Sequence, residues 1–267
     1  MPHMLIFGLG YTATRLADRL RSDGWQVTGT RREAIDGAVA FDDSEAVCKA
    51  IAETTHVISS VPPARDGTEP VLAKYGDAIG QATLQWSGYL SSTGVYGDAQ
   101  GAWVDETAPI GNGRRKARSE ADLQWQSLRQ DMRIFRLPGI YGPRRSPIDR
   151  VRKGTAKRIY VPGQVFSRIH VDDIVEAVMA SFTAPSGVYN IADDLPAPQS
   201  DVLAHAARLI AVEPPPLMSL DDAGLSAAAR SFYDENRRVA NGKAKRELNW
   251  KPRYPDYQSG LASLADA

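Results

Sequence analysis

The feature that most constrains the fold is a glycine-rich turn at the start of the chain. Residues 4–7 (MLIF) are an apolar run typical of a buried parallel strand, and residues 8–13 (GLGYTA) follow with the pattern G-x-G-x-x-A. Gly8 can take the tight turn that leaves the strand, Gly10 lets backbone approach a pyrophosphate, and Ala13 lets a helix pack closely on the strand. Free N–H groups at the start of that helix can bind phosphate. The segment therefore predicts a dinucleotide site contacted by Gly8, Gly10, Tyr11, Thr12 and Ala13.

The residues that follow favour this interpretation over the alternative of an ordinary strand-to-helix connection. Leu16 and Leu20 recur at helical spacing, and Gly24 can end the helix. Residues 25–29 (WQVTG) then supply a second strand at the expected distance.

The end of this second strand indicates which nicotinamide cofactor fits. An acidic residue there would bind a ribose 2′-hydroxyl, but the chain has Thr30, Arg31 and Arg32. Guanidinium groups and a hydroxyl suit a 2′-phosphate, so we predict NADP rather than NAD. The alternative is a pair of solvated arginines opening a loop, because Glu33 follows directly and could neutralise one of them.

Composition excludes several classes of protein. The 267 residues carry 32 basic and 32 acidic side chains, and this balance gives no indication of nucleic-acid binding. The single cysteine, Cys48, excludes an internal disulfide and a cysteine-cluster metal site, and we expect it to be a small buried helix residue. No metal is predicted. No apolar stretch approaches the ~20 residues that cross a bilayer, and the first strand leaves no room for a signal peptide, so we expect a cytoplasmic protein without a membrane partner.

Strands and helices alternate beyond the second strand. We predict further strands at 38–41, 55–60, 86–91 and 132–137, and helices at 43–53, 67–84 and 113–131. Such alternation is typical of an α/β protein with a doubly wound parallel sheet. Ligands of these sheets lie beyond the carboxyl ends of the strands.

The alternation changes after residue 140, where proline-rich and basic loops begin. We predict a helix from Val171, a strand at 187–191, a helix at 199–211, and a loop at 212–230 that leads to a short helix. The predicted division is a dinucleotide-binding core at 1–140, to which 160–192 return, and a small substrate-side subdomain formed by 141–160 and 193–267.

The motifs together resemble the extended short-chain dehydrogenase/reductase superfamily, in its atypical NAD-dependent epimerase/dehydratase branch. The resemblance spans nearly the whole chain and rests on five segments. They are GLGYTA at 8–13, LSSTGVYG at 90–97, RLPGIYGP at 136–143, RIHVDD at 168–173 and NGKAKRELNWKP at 241–252. The resemblance implies a Rossmann fold with a small C-terminal substrate-binding subdomain.

The resemblance also implies further cofactor contacts. Ser60, Val61 and Pro62 would line the cofactor, and Asp42 would approach the adenine. For Asp42 an N-cap of the next helix is an equally good interpretation. The segment near the nicotinamide would be Pro138, Gly139 and Ile140.

Family members transfer hydride with a Ser/Thr, Tyr and Lys set, and this chain departs from that pattern. Ser92 stands at the hydroxyl position, with Thr93 as a neighbour that could substitute; either hydroxyl could instead bond the local backbone. The tyrosine and lysine positions are Asn112 and Lys116, so the tyrosine is absent. Lys116 could hold the ribose or lie on a solvated helix face with its arginine neighbours. Asparagine cannot cycle a proton near neutral pH, so Tyr96, Tyr141, Lys116 or a water would have to act instead.

The substrate side departs from the family as well. Members that act on nucleotide sugars usually carry an arginine where this chain has Phe166, so the usual diphosphate anchor is missing. Arg168 could replace it from another position, and His170 is interpreted as a packed or helix-capping residue. Residues 144–158 hold seven basic side chains against Asp149, which indicates either an anionic ligand over the cleft or a solvated loop face.

Two functional hypotheses follow. The first is an NADP-preferring oxidoreductase or epimerase-like enzyme acting on a small, anionic or polyhydroxylated molecule. The second is a non-catalytic module that senses NADP and changes conformation on binding it. The sequence leaves a monomer and a weak homodimer both open.

Overall fold

A seven-stranded parallel β-sheet forms the centre of the structure, a computed structural model that describes residues 1–114 and 116–265. The strands in chain order are β1 His3–Phe7, β2 Gln26–Arg31, β3 Val39–Ala40, β4 His56–Ser59, β5 Trp86–Ser92, β6 Trp103–Val104, β7 Met132–Leu137, β8 Gly139–Tyr141, β9 Arg158–Ile159, β10 Arg168–His170, β11 Gly187–Asn190, β12 Leu217–Met218 and β13 Arg238–Val239. The helices are α1 Tyr11–Ser22, α2 Ser44–Glu53, α3 Pro70–Gln81, α4 Lys116–Leu128, α5 Pro147–Arg152, α6 Val171–Ala180, α7 Gln199–Leu209, α8 Ala227–Arg230, α9 Gly242–Glu247 and α10 Tyr257–Ala265.

The strand order of the large sheet is β11-β7-β5-β4-β1-β2-β3, and every neighbouring pair is parallel. The predicted doubly wound α/β sheet is therefore confirmed. The order reverses between β1 and β4, because β2 lies on one side of β1 and β4 on the other. Such a reversal opens a crevice at the carboxyl ends of the strands, where ligands of this architecture bind.

Helices cover both faces of the sheet. On one face, α1 and α6 pack with Leu16, Leu20 and Ile174 fully buried against Trp86 and Phe135. On the other face, α2, α3 and α4 bury a second apolar cluster, in which the rings of Tyr89 and Trp125 stack 5.2 Å apart. Because the sheet is buried on both faces, the sequences of its central strands are continuous apolar runs.

A smaller helical layer stands beside the sheet. Helices α5, α7 and α10 pack around a separate cluster that includes Ile148, Val202 and Leu261. Tyr141, at the end of β8, joins this cluster and so links it to the segment that follows β7. Three two-stranded pairs, β8–β10, β9–β12 and β6–β13, lie outside the large sheet.

Several sequence expectations need correction in detail. Helix α3 is shorter than predicted at both ends, α4 is described from Lys116, and the loop at 212–230 includes the short strand β12. Cys48 is exposed, not buried, because the buried face of α2 is set by Val47, Ala50 and Ile51. Over the described residues, no helix is both long and apolar enough to span a membrane.

Candidate functional site

A cleft of about 1030 Å³ lies beyond the carboxyl ends of β1, β4, β5 and β7. Its walls contain many of the residues that the sequence singled out. They are Gly10, Tyr11, Thr12, Ser60, Pro62, Ser92, Thr93, Pro138, Gly139 and Ile140. The remaining predicted residues do not line this cleft: Gly8, Ala13, Thr30, Arg31, Arg32, Asp42, Val61 and Lys116.

The two glycines of the first turn have different roles. Gly8 has a φ of +82°, and a Cβ there would lie 2.8 Å from Cγ2 of Val61 and 3.3 Å from Oγ of Ser60. Gly10 has a φ of −88°, and a Cβ there would meet no atom within 4 Å. Gly8 is thus required by the fold, whereas the space in front of Gly10 is open toward the cleft.

Helix α1 presents its N-terminus at this opening. Gly10 is the N-cap and has no side chain to bond the first N–H groups, and no acidic residue lies in the first turn. Those N–H groups and the helix dipole favour an anion at this place. The open space and these donors fit the pyrophosphate of a dinucleotide.

The predicted phosphate-selecting residues lie at the end of β2. Thr30 is buried, and its Oγ1 accepts a hydrogen bond of 3.1 Å from the N–H of Gly8, so it holds the turn in place. Arg31 is half-buried, and its Nε has no hydrogen-bond partner among residues 1–114 and 116–265. Arg32 is exposed. A buried donor without a partner is costly, and a phosphate oxygen would satisfy it.

Asp42 and Ala13, which were also predicted to contact the cofactor, interact with other residues of the protein. Asp42 is exposed and forms an ion pair of 2.7 Å with Lys74. Asp43, rather than Asp42, caps α2 by accepting a hydrogen bond from the N–H of Ala46, so the capping interpretation of Asp42 is wrong. Ala13 is buried in the interface of α1 with the sheet.

The hydroxyl pair lies on the wall formed by the end of β5. Oγ of Ser92 accepts a hydrogen bond of 3.1 Å from the N–H of Gly94, which leaves its own proton free to be donated. Thr93 is buried at the start of the 3-10 turn Thr93–Tyr96. Lys116 is exposed at the beginning of α4, outside the cleft.

The loop that contains Asn112, the predicted tyrosine position, packs directly on this turn. Asn112 is exposed, and a Cβ on Gly113 would lie 2.3 Å from the carbonyl oxygen of Gly94. Arg115 lies outside the described residues.

An ion-pair cluster stands next to the loop, and the sequence did not reveal it. Glu235 accepts hydrogen bonds of 2.7 Å from the N–H of Arg114 and 2.9 Å from Nη1 of Arg237. Burial alone would raise the pKa of Glu235, but these bonds and the two positive charges lower it overall. Its partners are far apart in the chain, so no local motif could have indicated the cluster.

The tyrosines considered as proton donors are engaged elsewhere. Tyr96 donates to Oδ1 of Asn190 at 2.7 Å and accepts from Arg136 at 3.0 Å, in a buried network away from the cleft wall. Tyr141 lines the cleft, but its hydroxyl is 3.5 Å from the carbonyl oxygen of Asp256. Burial raises the pKa of both phenols, which makes them weaker acids.

Positive charge dominates the cleft. Of the basic run at 144–158, five side chains line it, while Arg152 and Arg158 bond the carbonyl oxygens of Ala265 and Ser200 instead. The cations of the wall are Arg114, Arg118, Arg144, Arg145, Arg150, Lys153, Lys157, Arg168 and Arg237. The anions of the wall are Asp149 and Glu235.

The segment around β10 is part of the same wall. His170 is buried, and its Nδ1 accepts from the N–H of Asp172 at 3.2 Å, which confirms the helix-capping interpretation. Burial lowers the pKa of His170 to about 4, so the ring is neutral at pH 7. Arg168 is 94% buried, and its Nη1 donates to the carbonyl oxygens of Phe166 and Ala197 at 2.7 and 2.9 Å.

Comparison with known proteins finds relatives of this chain at several levels of sequence identity. No family model matches the chain. A functionally unknown conserved protein from Silicibacter pomeroyi is 42% identical, with a TM-score of 0.91 and coverage of 100% of this chain and 99% of that chain. Protein YeeZ from Escherichia coli K12 is 28% identical over 281 residues, covering 96% of this chain and 97% of YeeZ. The human epimerase family protein SDR39U1, crystallised with NADPH, has a TM-score of 0.80 at 15% identity, with 99% coverage of both chains.

The chain has the fold of the NAD-dependent epimerase/dehydratase family. It belongs to the same family as the Silicibacter pomeroyi protein. The resemblance predicted from the five motifs is thereby confirmed at the level of the fold. Within this epimerase/dehydratase fold, the cleft described above lies at the carboxyl ends of the parallel strands, next to the glycine-rich turn.

Proposed function

We propose that this protein is an NAD(P)-dependent oxidoreductase or epimerase-like enzyme that prefers NADP and acts on a small anionic molecule. The observation that carries the proposal is the open space in front of Gly10, at the N-terminus of α1 and on the wall of the cleft. The division into a core at 1–140, joined by 160–192, and a substrate-side remainder is part of the same proposal.

The preference for NADP is supported by the end of β2. Arg31 offers a buried Nε that lacks a partner among the described residues, and Arg32 adds an exposed positive charge beside it. Arginine binds phosphate through charge-assisted hydrogen bonds. The structure of human SDR39U1, which has the same fold, contains NADPH.

The bound nicotinamide would supply hydride transfer, and the chain's own residues would orient the substrate. Ser92 can donate a hydrogen bond to a substrate oxygen, because its hydroxyl proton is not used in the bond that it accepts from the N–H of Gly94. The nearby guanidinium groups of Arg114 and Arg237 would stabilise negative charge on that oxygen. With Asn112 at the family's tyrosine position, the proton itself would come from a water molecule in the cleft.

The second candidate is a module that binds NADP and signals its presence without chemistry. Two features support it. The resemblance puts Asn112 at the tyrosine position, and Lys116 is exposed and does not line the cleft. The two candidates share the cofactor and differ only in turnover.

Cofactor binding is tested by calorimetric titration with NADPH and NADH. Each charge-assisted hydrogen bond contributes about 1.5–3 kcal/mol, so the double variant Arg31→Ala, Arg32→Ala is expected to bind NADPH at least about tenfold more weakly. NADH affinity should be unchanged. The matched control removes two exposed arginines elsewhere, Arg21→Ala with Arg208→Ala, and should bind both nucleotides like the parent. The proposal is wrong if neither nucleotide binds the parent protein.

Turnover separates the enzyme from the sensor. A panel of carbonyl and alcohol substrates is assayed with NADPH and NADP by absorbance at the nicotinamide band. The enzyme hypothesis expects Ser92→Ala to abolish turnover without changing NADPH affinity, whereas Ser127→Ala on the exposed face of α4 should behave like the parent. Absence of any turnover by a protein that binds NADPH would favour the sensing module.

A further inference from the structure

One part of the cleft combines hydrogen-bond donors from four separate elements. Arg150 belongs to α5, Arg168 to β10, Gln199 begins α7, and Tyr233 ends the 3-10 turn Ser231–Tyr233. All four line the cleft, and none belongs to the glycine-rich turn or to the strand ends proposed to bind the dinucleotide.

The orientation of the Gln199 amide is fixed by its neighbour. Nη2 of Arg168 donates to Oε1 of Gln199 at 3.1 Å, and arginine can only donate. The amide nitrogen Nε2 must therefore point the other way, and it is buried with no hydrogen-bond partner among the described residues. A buried donor without an acceptor is unfavourable unless a ligand supplies one.

Arg150 is a cation of the cleft wall that is exposed to solvent. Its neighbour Asp149 is used by the capping box of α5, in which it accepts from the N–H of Ser146 at 2.7 Å. No carboxylate in the described part of the chain forms an ion pair with Arg150, and the cleft walls lower the pKa of its guanidinium by desolvation. Asp193, which faces Arg168, adds little compensation because burial raises its pKa to about 8.

Apolar and aromatic side chains also line this cleft. Tyr233 is held by the ring of Phe166, which meets it edge-on with centroids 5.5 Å apart. Ile159, Val165 and Val239 line the same cleft. A ligand that places a charged end on the donors would therefore lay an apolar body against this wall.

We propose that Arg150, Gln199 and Tyr233, with Arg168 holding the Gln199 amide, bind the oxyanion end of a substrate that has an apolar body. The oxyanion is a carboxylate or a phosphate, and both accept several hydrogen bonds from a guanidinium and an amide. This inference rests on the proposed function, because it takes the bound molecule to be the substrate. Binding to the site can nevertheless be tested without measuring turnover.

The test is calorimetric titration of the full chain with four probes: benzoate, phenyl phosphate, inorganic phosphate and benzyl alcohol. The protein is first saturated with NADPH so that the phosphate positions of the cofactor are filled. Benzoate or phenyl phosphate should bind the parent at least about tenfold more tightly than benzyl alcohol, which has the same body without the charge. Tighter binding of benzoate identifies a carboxylate, and tighter binding of phenyl phosphate identifies a phosphate. Inorganic phosphate lacks the apolar body and should bind more weakly than phenyl phosphate.

The key variant is Arg150→Gln, and Arg152→Gln is its matched control on the same helix. Nη2 of Arg152 donates to the carbonyl oxygen of Ala265, and its side chain does not line the cleft. Arg150→Gln should weaken the charged probes at least about tenfold while Arg152→Gln leaves them unchanged. Gln199→Leu, which removes the unpaired donor, should weaken them as well.

The inference is overturned if no charged probe binds, if benzyl alcohol binds equally well, or if Arg150→Gln binds like Arg152→Gln. Its failure is distinguishable from failure of the proposed function. A protein that binds NADPH but no charged probe refutes only this site. If NADPH does not bind, the proposed function fails, and the same titrations on the free protein still decide the oxyanion site.

Discussion

The two glycines of the first turn should respond in opposite ways to the same substitution. Gly8→Ala introduces a Cβ at a residue whose φ is +82°, and that atom would lie 2.8 Å from Cγ2 of Val61. The left-handed conformation costs an L-residue about 1–2 kcal/mol, and an inserted methyl in a packed site costs about 1–3 kcal/mol. The smaller conformational freedom of alanine in the unfolded chain offsets about 0.4–1 kcal/mol of this. We therefore expect Gly8→Ala to lower the free energy of unfolding by about 1–5 kcal/mol.

Gly10→Ala places the same methyl group in open space. The φ of Gly10 is −88°, which alanine adopts without strain, and no atom lies within 4 Å of the added Cβ. The free energy of unfolding should change by less than about 0.5 kcal/mol. The added Cβ would occupy the space that the pyrophosphate needs, so NADPH affinity should fall at least about tenfold, or 1.4 kcal/mol.

Urea denaturation followed by circular dichroism measures stability, and calorimetry measures NADPH affinity at a temperature where both variants are folded. The reasoning is refuted if Gly10→Ala binds NADPH like the parent, because the open space would then have no connection with the cofactor. Equal stability of Gly8→Ala and the parent would refute the assignment of Gly8 to the packed, positive-φ turn.

Two further predictions concern buried charge. Asp122 and Arg136 form an ion pair of 2.8 Å with both side chains almost fully buried, so Asp122→Ala should lower the free energy of unfolding in urea by about 3–5 kcal/mol. Asp221→Ala at the exposed pair with Arg230 should cost less than about 1 kcal/mol, and equal losses would contradict the role of burial. Burial, with the nearby charge of Arg133, lowers the pKa of His56 to about 4. The folded protein therefore favours the neutral ring. The resulting contribution to the free energy of unfolding is complete above the usual pKa of 6.5 and is lost as the pH falls to about 4. Relative to His56→Gln, the parent should lose about 3 kcal/mol of unfolding free energy over this range, and parallel pH profiles of the two proteins would argue against the shift.

The sequence was sufficient for the parts of this protein that depend on neighbouring residues. The run at 4–13 predicted a strand, a tight turn and a helix, and the structure has β1, a positive-φ Gly8 and α1 in that order. Alternation of apolar strands with amphipathic helices was enough to predict the doubly wound parallel sheet. These features are local because the backbone conformation of a turn, and the face that a helix buries, follow from residues a few positions apart.

The composition of the cleft depended on contacts between distant residues. The sequence drew attention to the basic run at 144–158, but it could not show that Arg152 turns away while Arg150 faces the cleft. It also gave no indication that Glu235 and Arg237 would meet Arg114 beside Ser92. Such groupings are set by how segments far apart in the chain pack against each other.

The chain by itself determined the fold class and the glycine-rich turn. Only the tertiary structure decided which cations share one wall, which donors there lack an acceptor, and that Lys116 does not line the cleft. The physical reason is that the type of a side chain fixes its charge and its hydrogen-bonding groups. Its partners in the folded protein, however, come from segments that lie tens to more than a hundred residues away in the chain.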